Sequence, residues 1–367
     1  AGEITAQERP NPALGISPGL NTSTPSNGPS AWILGLNIDF PIETAGKRSH
    51  RLTHSRQLSA ISRLAIASVA WQTRLAVRRA MVEIEAAETE VDLRAEQLAA
   101  ETKAVAILEA RFNAGESTAN EVSRERIALA QTQLAANAAQ QRAAINRSAL
   151  AAALGVPTSA IDTISLSFDQ LHLADSADIE LSAACNQALT TRADVLAALA
   201  DYAASEAALQ LAVARQYPDI HLGPGYEFDQ GDHKWSLGFG WELPVFHRQQ
   251  GPIAEAAAQR SESAARFNAV QARALAEVEQ AFASYRAAQS NVITADTITA
   301  SATQQKHRLD AIYATGEVPV HAVYAAAVES ASARLAQLEA HTAFQLALSD
   351  LEAAVQNPST LNARSWE

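Results

Sequence analysis

The stretch Trp235-Ser236-Leu237-Gly238-Phe239-Gly240-Trp241-Glu242-Leu243 alternates a large apolar residue with a small or polar one at every step. That is the period-two signature of a β-strand with one greasy face and one polar face. The run before it behaves alike: Ile220, Leu222, Tyr226 and Phe228 alternate with His221, Gly223, Gly225, Glu227 and Asp229. About two hundred residues upstream the pattern recurs. There Trp32, Leu34, Leu36, Ile38 and Phe40 alternate with Ile33, Gly35, Asn37 and Asp39, Ile33 being the exception. Residues 22–30 and 229–234, which carry Pro, Asn, Gly and Asp, read as the turns between strands.

An apolar strand face also occurs at the edge of a β-sandwich, whose inner face is greasy. Two features favour a membrane barrel instead. Tryptophans stand near strand ends, where a barrel places its aromatic girdle, and the opposite faces are glycine-rich and acidic, as a water-filled lumen is. This reading turns Trp32, Phe40, Trp235, Phe239 and Trp241 toward lipid, and Asn37, Asp39, His221, Glu227 and Glu242 toward water. Four strands cannot close a barrel, since small closed ones need about eight. The chain is therefore expected to share its barrel with other copies.

The two strand pairs belong to a longer internal repeat. Asn11-Pro12-Ala13-Leu14 matches Tyr217-Pro218-Asp219-Ile220, Pro18-Gly19 matches Pro224-Gly225, and Pro41-Ile42 matches Pro244-Val245. Farther on, Arg111-Phe112-Asn113-Ala114-Gly115-Glu116 matches Ile312-Tyr313-Ala314-Thr315-Gly316-Glu317. After its strands each copy turns helical, with no proline but Pro252 over 45–112 and 247–313. About 65 helical residues span roughly 100 Å, some threefold more than a membrane. Each long helix ends near a glycine, Gly115 or Gly316, and a second helix returns with heptad-like spacing at Ile127, Leu134 and Ala138.

The predicted organisation is a first repeat over 1–154, with strands near 13–41 and a hairpin over 45–154. A mixed insert, 155–191, follows, with a strand-like run at 164–168 and a linker rich in Asp and Ser. The second repeat, 192–356, has a helix, strands near 219–244 and a hairpin over 247–356, and a tail covers 357–367. Residues 1–9 match the last turns of the helix that opens the second repeat, and they carry no signal peptide. The mature protein is expected to extend upstream.

Composition narrows the function classes. The apolar share is 48%, much of it alanine, with only 5% aromatic residues. Alanine helices bury little area each and suit close helix packing. A formal charge of −12 argues against a nucleic-acid partner. The single cysteine, Cys185, allows no internal disulfide and no cysteine metal cluster. No apolar run is long enough for a transmembrane helix. There is no Ser-His-Asp signature, no Walker loop and no cofactor motif, and Gly238-Phe239-Gly240 lies inside a strand pattern. An enzyme reading has no support.

Two strands, a long helical hairpin, an insert, a helix and the same again resemble the TolC-type outer-membrane factors over nearly the whole chain. Arg192-Ala193-Asp194-Val195 is similar to that family's Arg-Pro-Asp-hydrophobic start of the second half, and Gln216-Tyr217-Pro218 to its helix-to-strand signal. Leu243-Pro244-Val245-Phe246-His247-Arg248-Gln249-Gln250-Gly251-Pro252-Ile253-Ala254 is similar to the version in the heavy-metal cation (CzcC-like) branch. The resemblance implies a mixed α/β membrane protein: a homotrimer in which each chain gives four strands to a twelve-stranded barrel and helical hairpins to a periplasmic tunnel. It implies a Gram-negative outer-membrane site in contact with outer-membrane lipid. It also implies docking to a periplasmic adaptor bound to an inner-membrane, proton-driven RND pump. Family members often carry a lipidated N-terminal cysteine, which would lie upstream of residue 1.

The resemblance also points to the hairpin tips. Arg111, Phe112, Gly115, Glu116, Tyr313, Gly316 and Glu317 are the adaptor-docking candidates. Family members place acidic gate residues six and nine positions after the second tip glycine, and here those positions hold Ala322 and Ala325. After the first glycine the same positions hold Glu121 and Arg124, so Glu121, Arg124 and the nearby His321 are the gate candidates. The alternative for Glu121 is pairing with Arg124 or Arg126. His50 and His54 stand four apart, a spacing that can hold a metal on a helix. Their neighbours Lys47, Arg48, Arg51 and Arg56 favour a solvated basic collar instead. His221 and Glu227 are candidates for transient cation contact in the lumen. The functional expectation is an exit duct for heavy-metal cations. The rivals are the same duct serving drugs or type I protein secretion, and a helical scaffold outside the membrane.

Overall fold

The computed structural model describes residues 2–22, 30–162, 164–171 and 179–356. Four strands form one antiparallel sheet in sequence order: β1 (Ala13–Leu20), β2 (Trp32–Ile42), β3 (Ile220–Asp229) and β4 (Asp232–Trp241). Directly paired residues share a face. Leu20 lies opposite Trp32, Leu36 opposite Tyr226, and Leu222 opposite Phe239, so the register collects the apolar residues of all four strands on one side. The β2–β3 pairing joins the two repeats, leaving β1 and β4 as the sheet's edges. The β3–β4 turn is tighter than the sequence suggests. It consists of Gln230 and Gly231, both at positive φ (53° and 106°), as a two-residue turn matched to strand twist requires. Most of the β1–β2 turn, 23–29, lies outside the described residues.

Beyond β2 the chain turns through Ala45 and Gly46, at φ 53° and 71°, into α2 (Lys47–Asn113). A polar clamp fixes this junction. The Asp219 carboxylate, just ahead of β3, accepts from Lys47 Nζ at 2.8 Å and from the Thr44 N–H at 2.9 Å. The Thr44 hydroxyl donates to the Pro218 carbonyl at 2.6 Å. Burial works to raise the Asp219 pKa, but Lys47 and the Thr44 N–H outweigh it and hold the carboxyl below its usual range. Arg51 grips the Glu43 carboxylate at 2.6 and 3.2 Å and the carbonyls of Ala6 and Glu8 at 3.2 and 2.9 Å. Arg48 donates to the Gln7 carbonyl at 2.7 Å. Those carbonyls lie at the end of α1 (Gly2–Gln7), where helical carbonyls lack intrahelical partners. The expected solvated collar is therefore corrected for Lys47, Arg48 and Arg51. Lys47 is buried, and all three are spent on the strand-to-helix junction.

The hairpins are α2 with α3 (Ala119–Leu154), and α7 (Gln250–Ala314) with α8 (Val320–Val355). Their lengths, 67 and 36 residues against 65 and 36, carry the repeat into the structure. Pro252 falls in the first turn of α7, where its missing N–H costs no helical bond. Two clusters pack the helical part. One joins Ala188, Val278, Tyr285, Leu348 and Leu351, the other Ala80, Ile84, Leu150 and Ile161. Alanines make up most of the first, so backbones can approach closely there, whereas larger aliphatic side chains fill the second.

Between the first hairpin and the strands of the second repeat lie α4 (Thr158–Ile161), a 3₁₀ turn (Asp169–Leu171), α5 (Leu181–Thr191) and α6 (Ala193–Ala214), the last opening the second repeat. No strand forms over 164–168, contrary to expectation. Its alternation arises because Leu166 and Phe168 pack on the Ile84–Leu150 cluster without a pairing partner. The motif at 192–195 gains a structural meaning. Buried Arg192, at the end of α5, donates to the Ala354 carbonyl at 3.0 Å and to Glu277 at 2.7 Å. Two compact units cut across the repeats: Ala1–Ala67 with Ala193–Ala272, which holds the sheet, and Ser68–Arg192 with Arg273–Glu367. The predicted tail, 357–367, and the linker at 172–178 lie outside the described residues.

The clamp makes a stability prediction. Because the folded pKa of Asp219 is depressed, its contribution is complete above the ordinary aspartate value of about 3.9 and is lost as pH falls through the lower folded value. Asp219→Asn should cost about 1–2 kcal/mol at neutral pH, after allowance for solvent screening. Thermal melts of wild type and variant should differ at pH 7, and the difference should shrink as the pH falls below the ordinary aspartate range. Equal stability at pH 7 would mean the clamp is only a contact.

Candidate functional site

On the polar face of the sheet, paired residues place Asp39, Asn37, His221 and Glu227 together, as the alternation predicts. Glycines floor this face. A side chain at Gly15 would run into the Asn37 amide, and Gly223 and Gly238 stand opposite one another. Each of the two lumen candidates has a partner of its own. His221 meets Asp39, its Nδ1 2.9 Å from Oδ2, while Glu227 lies opposite Lys234 at 3.9 Å. Lys234 also reaches Asp229 at 2.6 Å. The sequence reading missed Lys234, although its odd-even place next to Trp235 puts it on this face. Glu242 follows the last residue of β4 and lies outside the strand. The described polar face remains acidic, because Asp39, Glu227, Asp229 and Asp232 face a single lysine.

The opposite face is apolar and open. Trp235 is 82% exposed and Trp32 65%, and Phe40, Phe239 and Trp241 are exposed with them. Near the β3–β4 turn an aromatic group gathers that the sequence reading did not single out. Tyr226 lies 5.0 Å from Trp235 between ring centroids, and its hydroxyl is 2.6 Å from His233 Nδ1. His233 packs against Phe228 at 5.4 Å. Tyr226 and His233 thus carry their polar atoms at the end of a greasy surface.

His50 and His54 lie on the first turns of α2, beside the clamp. Among the described residues, no group of three or more His, Cys, Asp or Glu side chains is placed to hold a metal.

The two hairpin tips share a backbone. In the first, the Gly115 N–H bonds to the Phe112 carbonyl at 2.9 Å and the Glu116 N–H to the Arg111 carbonyl at 2.8 Å. In the second, Gly316 bonds back to Tyr313 at 2.9 Å and Glu317 to Ile312 at 3.4 Å. Both are Schellman ends, which need a residue at positive φ, and the glycines supply 79° and 81°. Phe112 and Tyr313 hold the same place in each tip and are 43% and 45% exposed.

The side chains that start the returning helices differ. Thr118 and Glu121 form a capping box, Glu121 accepting from the Thr118 N–H at 3.0 Å and the Ser117 hydroxyl at 2.7 Å. Those bonds, Ser117 foremost, keep the Glu121 carboxyl below its usual pKa range. Arg126 turns away to Glu109 at 2.6 Å, so it is not the partner of Glu121. Arg124 is exposed and acts on Glu121 through its charge alone. Pro319 caps α8 with no side-chain bond. Two residues on, His321 Nδ1 lies 3.4 Å from Arg111 Nη1. Arginine only donates, so this nitrogen is the acceptor. Arg111 also approaches Glu116 at 3.7 Å. The first gate candidate thus holds its own helix start, and the third is tied to the opposite tip.

Known structures share this fold. The outer membrane protein VceC of Vibrio cholerae aligns with a TM-score of 0.71 at 21% identity, over 97% of this chain and 88% of that one. CusC aligns with a TM-score of 0.70 at 19% identity, over 97% and 85%. The open state of the Neisseria gonorrhoeae MtrE outer membrane channel gives 0.69 at 16% identity, over 97% and 82%. Among curated protein sequences none matches. The sequence profile of the outer membrane efflux proteins matches residues 5–156 and 184–356, one segment for each repeat. A channel subunit rather than an enzyme, the chain belongs to the outer membrane efflux protein family, and its fold is that of the TolC-type channels.

Proposed function

We propose that three copies of this chain form the outer-membrane exit duct of a tripartite efflux system, with heavy-metal cations as cargo. The observation that carries the reading is the two-faced sheet with both edges open. Fully burying one large apolar side chain is worth about 1.5–3 kcal/mol. A face bearing exposed Trp32, Phe40, Trp235, Phe239 and Trp241 therefore favours lipid strongly. No helix among the described residues is long and apolar enough to cross a membrane, which leaves the crossing to the strands. The acidic, glycine-floored face then lines the passage. It would pass cations more readily than anions. The hairpins build the periplasmic tunnel, and the paired tips dock a periplasmic adaptor that connects to an inner-membrane pump. Metal as cargo is supported by the likeness of 243–254 to the heavy-metal branch and by the sign of the polar face. A strain lacking the chain should become sensitive to divalent heavy metals. Sensitivity to drugs alone would reassign the cargo and leave the duct standing.

Three measurements check the parts. In a Cys185→Ser background, Asn37→Cys and Ser236→Cys should react with a water-soluble thiol reagent in membranes at least tenfold faster than Leu36→Cys and Leu237→Cys. Reversed reactivity would turn the sheet inside out. Phe112→Ala with Tyr313→Ala should weaken adaptor binding at least tenfold, without changing the channel's mass in detergent or its melting temperature. Unchanged adaptor binding would move docking away from the tips. Glu121→Gln keeps a residue that can complete the capping box but removes its charge. If the three carboxylates form a ring, the variant's single-channel currents should lose cation selectivity and block by divalent ions. Unaltered selectivity would leave Glu121 as a helix cap alone.

A further inference from the structure

Strand β4 ends earlier than its repeat counterpart. β2 runs on through Pro41 and Ile42, which pair with His221 and Ile220. β4 stops at Trp241, although Pro244-Val245 stand where the repeat has Pro41-Ile42. β2 has β3 alongside it, whereas β4 is an edge. The residues past that edge are greasy and uncovered: Leu243 is 64% exposed, Val245 71% and Phe246 98%. β1 leaves the opposite edge equally open.

We infer that a second copy of this chain covers this edge in one defined register, β4 of one copy against β1 of the next with Gly240 opposite Gly19, and that 242–245 join the strand so that Leu243 meets Ile16 and Val245 meets Leu14. The inference rests on the barrel reading and adds the seam to it. The register comes from the chain's own internal symmetry. Across β2–β3, paired residue numbers add to 262, as in Phe40 with Leu222 and Ile42 with Ile220. The repeat carries β2 forward 203 residues onto β4 (Trp32 to Trp235, Pro41 to Pro244). It carries β3 back 206 onto β1 (Pro218 to Pro12, Pro224 to Pro18). Pairs across the seam then add to 259.

The side chains agree with this register. An odd total keeps Phe239 with Leu20 and Leu243 with Ile16 on the apolar face, and Gly240 with Gly19 on the polar face. An even total would have set greasy residues against polar ones. Strand direction agrees, since four alternating strands leave β4 antiparallel to the next β1. The seam also lacks the clamp. Ala13 stands at the place of Asp219 and Gln250 at that of Lys47, so the seam cannot repeat that ion pair.

Paired cysteines test the register. Directly opposed residues lie about 4.5–5.5 Å apart at Cα, within disulfide reach, whereas neighbours two positions off are about 7–8 Å apart. Gly19 and Gly240 accept a Cβ, whose nearest atoms would be Ile33 Cβ at 3.4 Å and His221 Cβ at 3.6 Å. In a Cys185→Ser background, Gly19→Cys with Gly240→Cys should oxidise to a covalent trimer on a denaturing gel. It should do so at least tenfold faster than Gly19→Cys combined with Gly238→Cys or with Glu242→Cys. Faster linking by either offset pair would overturn this register and leave the shared barrel intact. If no pair links while the native mass in detergent remains that of a trimer, the seam is wrong and the barrel reading survives. A monomeric mass with no linking would overturn both.

Discussion

Everything in the sheet depends on the pairing of β2 with β3, two strands that the sequence separates by more than an entire helical hairpin. A strand alternates faces with period two, so this one register decides whether the greasy residues of both repeats fall together or cancel. Leu34 meets Phe228, Leu36 meets Tyr226 and Phe40 meets Leu222, and they fall together. The polar residues are then gathered on the other side by the same geometry, with no further instruction. A two-sided surface of this kind is stable only where its greasy face is covered, by lipid in the barrel reading, and its other face meets water.

The strand-to-helix junction uses a different kind of force. At the end of β2 the chain changes period from two to 3.6 within a few residues, through two consecutive left-handed residues, Ala45 and Gly46. The Asp219 carboxylate holds that corner from the second repeat by binding both Lys47 Nζ and the Thr44 N–H. Arg51 and Arg48 hold the end of α1 from the same helix. The residues that replace this set in the other repeat, Ala13 and Gln250, cannot make the bonds. The two repeats thus share a backbone plan but not its polar fastenings, and the difference falls where one chain would meet the next.

Much of this was legible in the sequence because it is periodic. Alternation at 32–40 and 220–243 located the strands and their faces, and the repeat located the tips. The parts that escaped are contacts between distant residues. Nothing near Lys47 announces Asp219, so the basic residues at 47–51 looked like a free collar. Parity puts His221, Glu227 and Asp39 on one face, but that His221 meets Asp39 across the sheet only the register reveals. The run at 164–168 alternates like a strand, but its apolar residues dock on helices, and period two cannot tell pairing from docking. The faces of Lys234 and His233 follow from parity alone, but their partners Asp229 and Tyr226 do not.

The tips show how a repeat can keep a shape while altering its chemistry. Both glycines make the same pair of backbone bonds, so the loop geometry depends on φ and not on side chains. What varies is how the returning helix is started. In the first tip Thr118 and Glu121 satisfy the exposed amide groups, leaving a fixed negative charge one turn from the loop. In the second, proline needs no such cap at its own nitrogen, and His321, two residues on, leans on Arg111 of the first tip. A symmetric backbone and an asymmetric charge pattern therefore occupy the same few residues. The backbone can present the same exposed aromatic, Phe112 or Tyr313, in both tips, while the charges mark which tip is which.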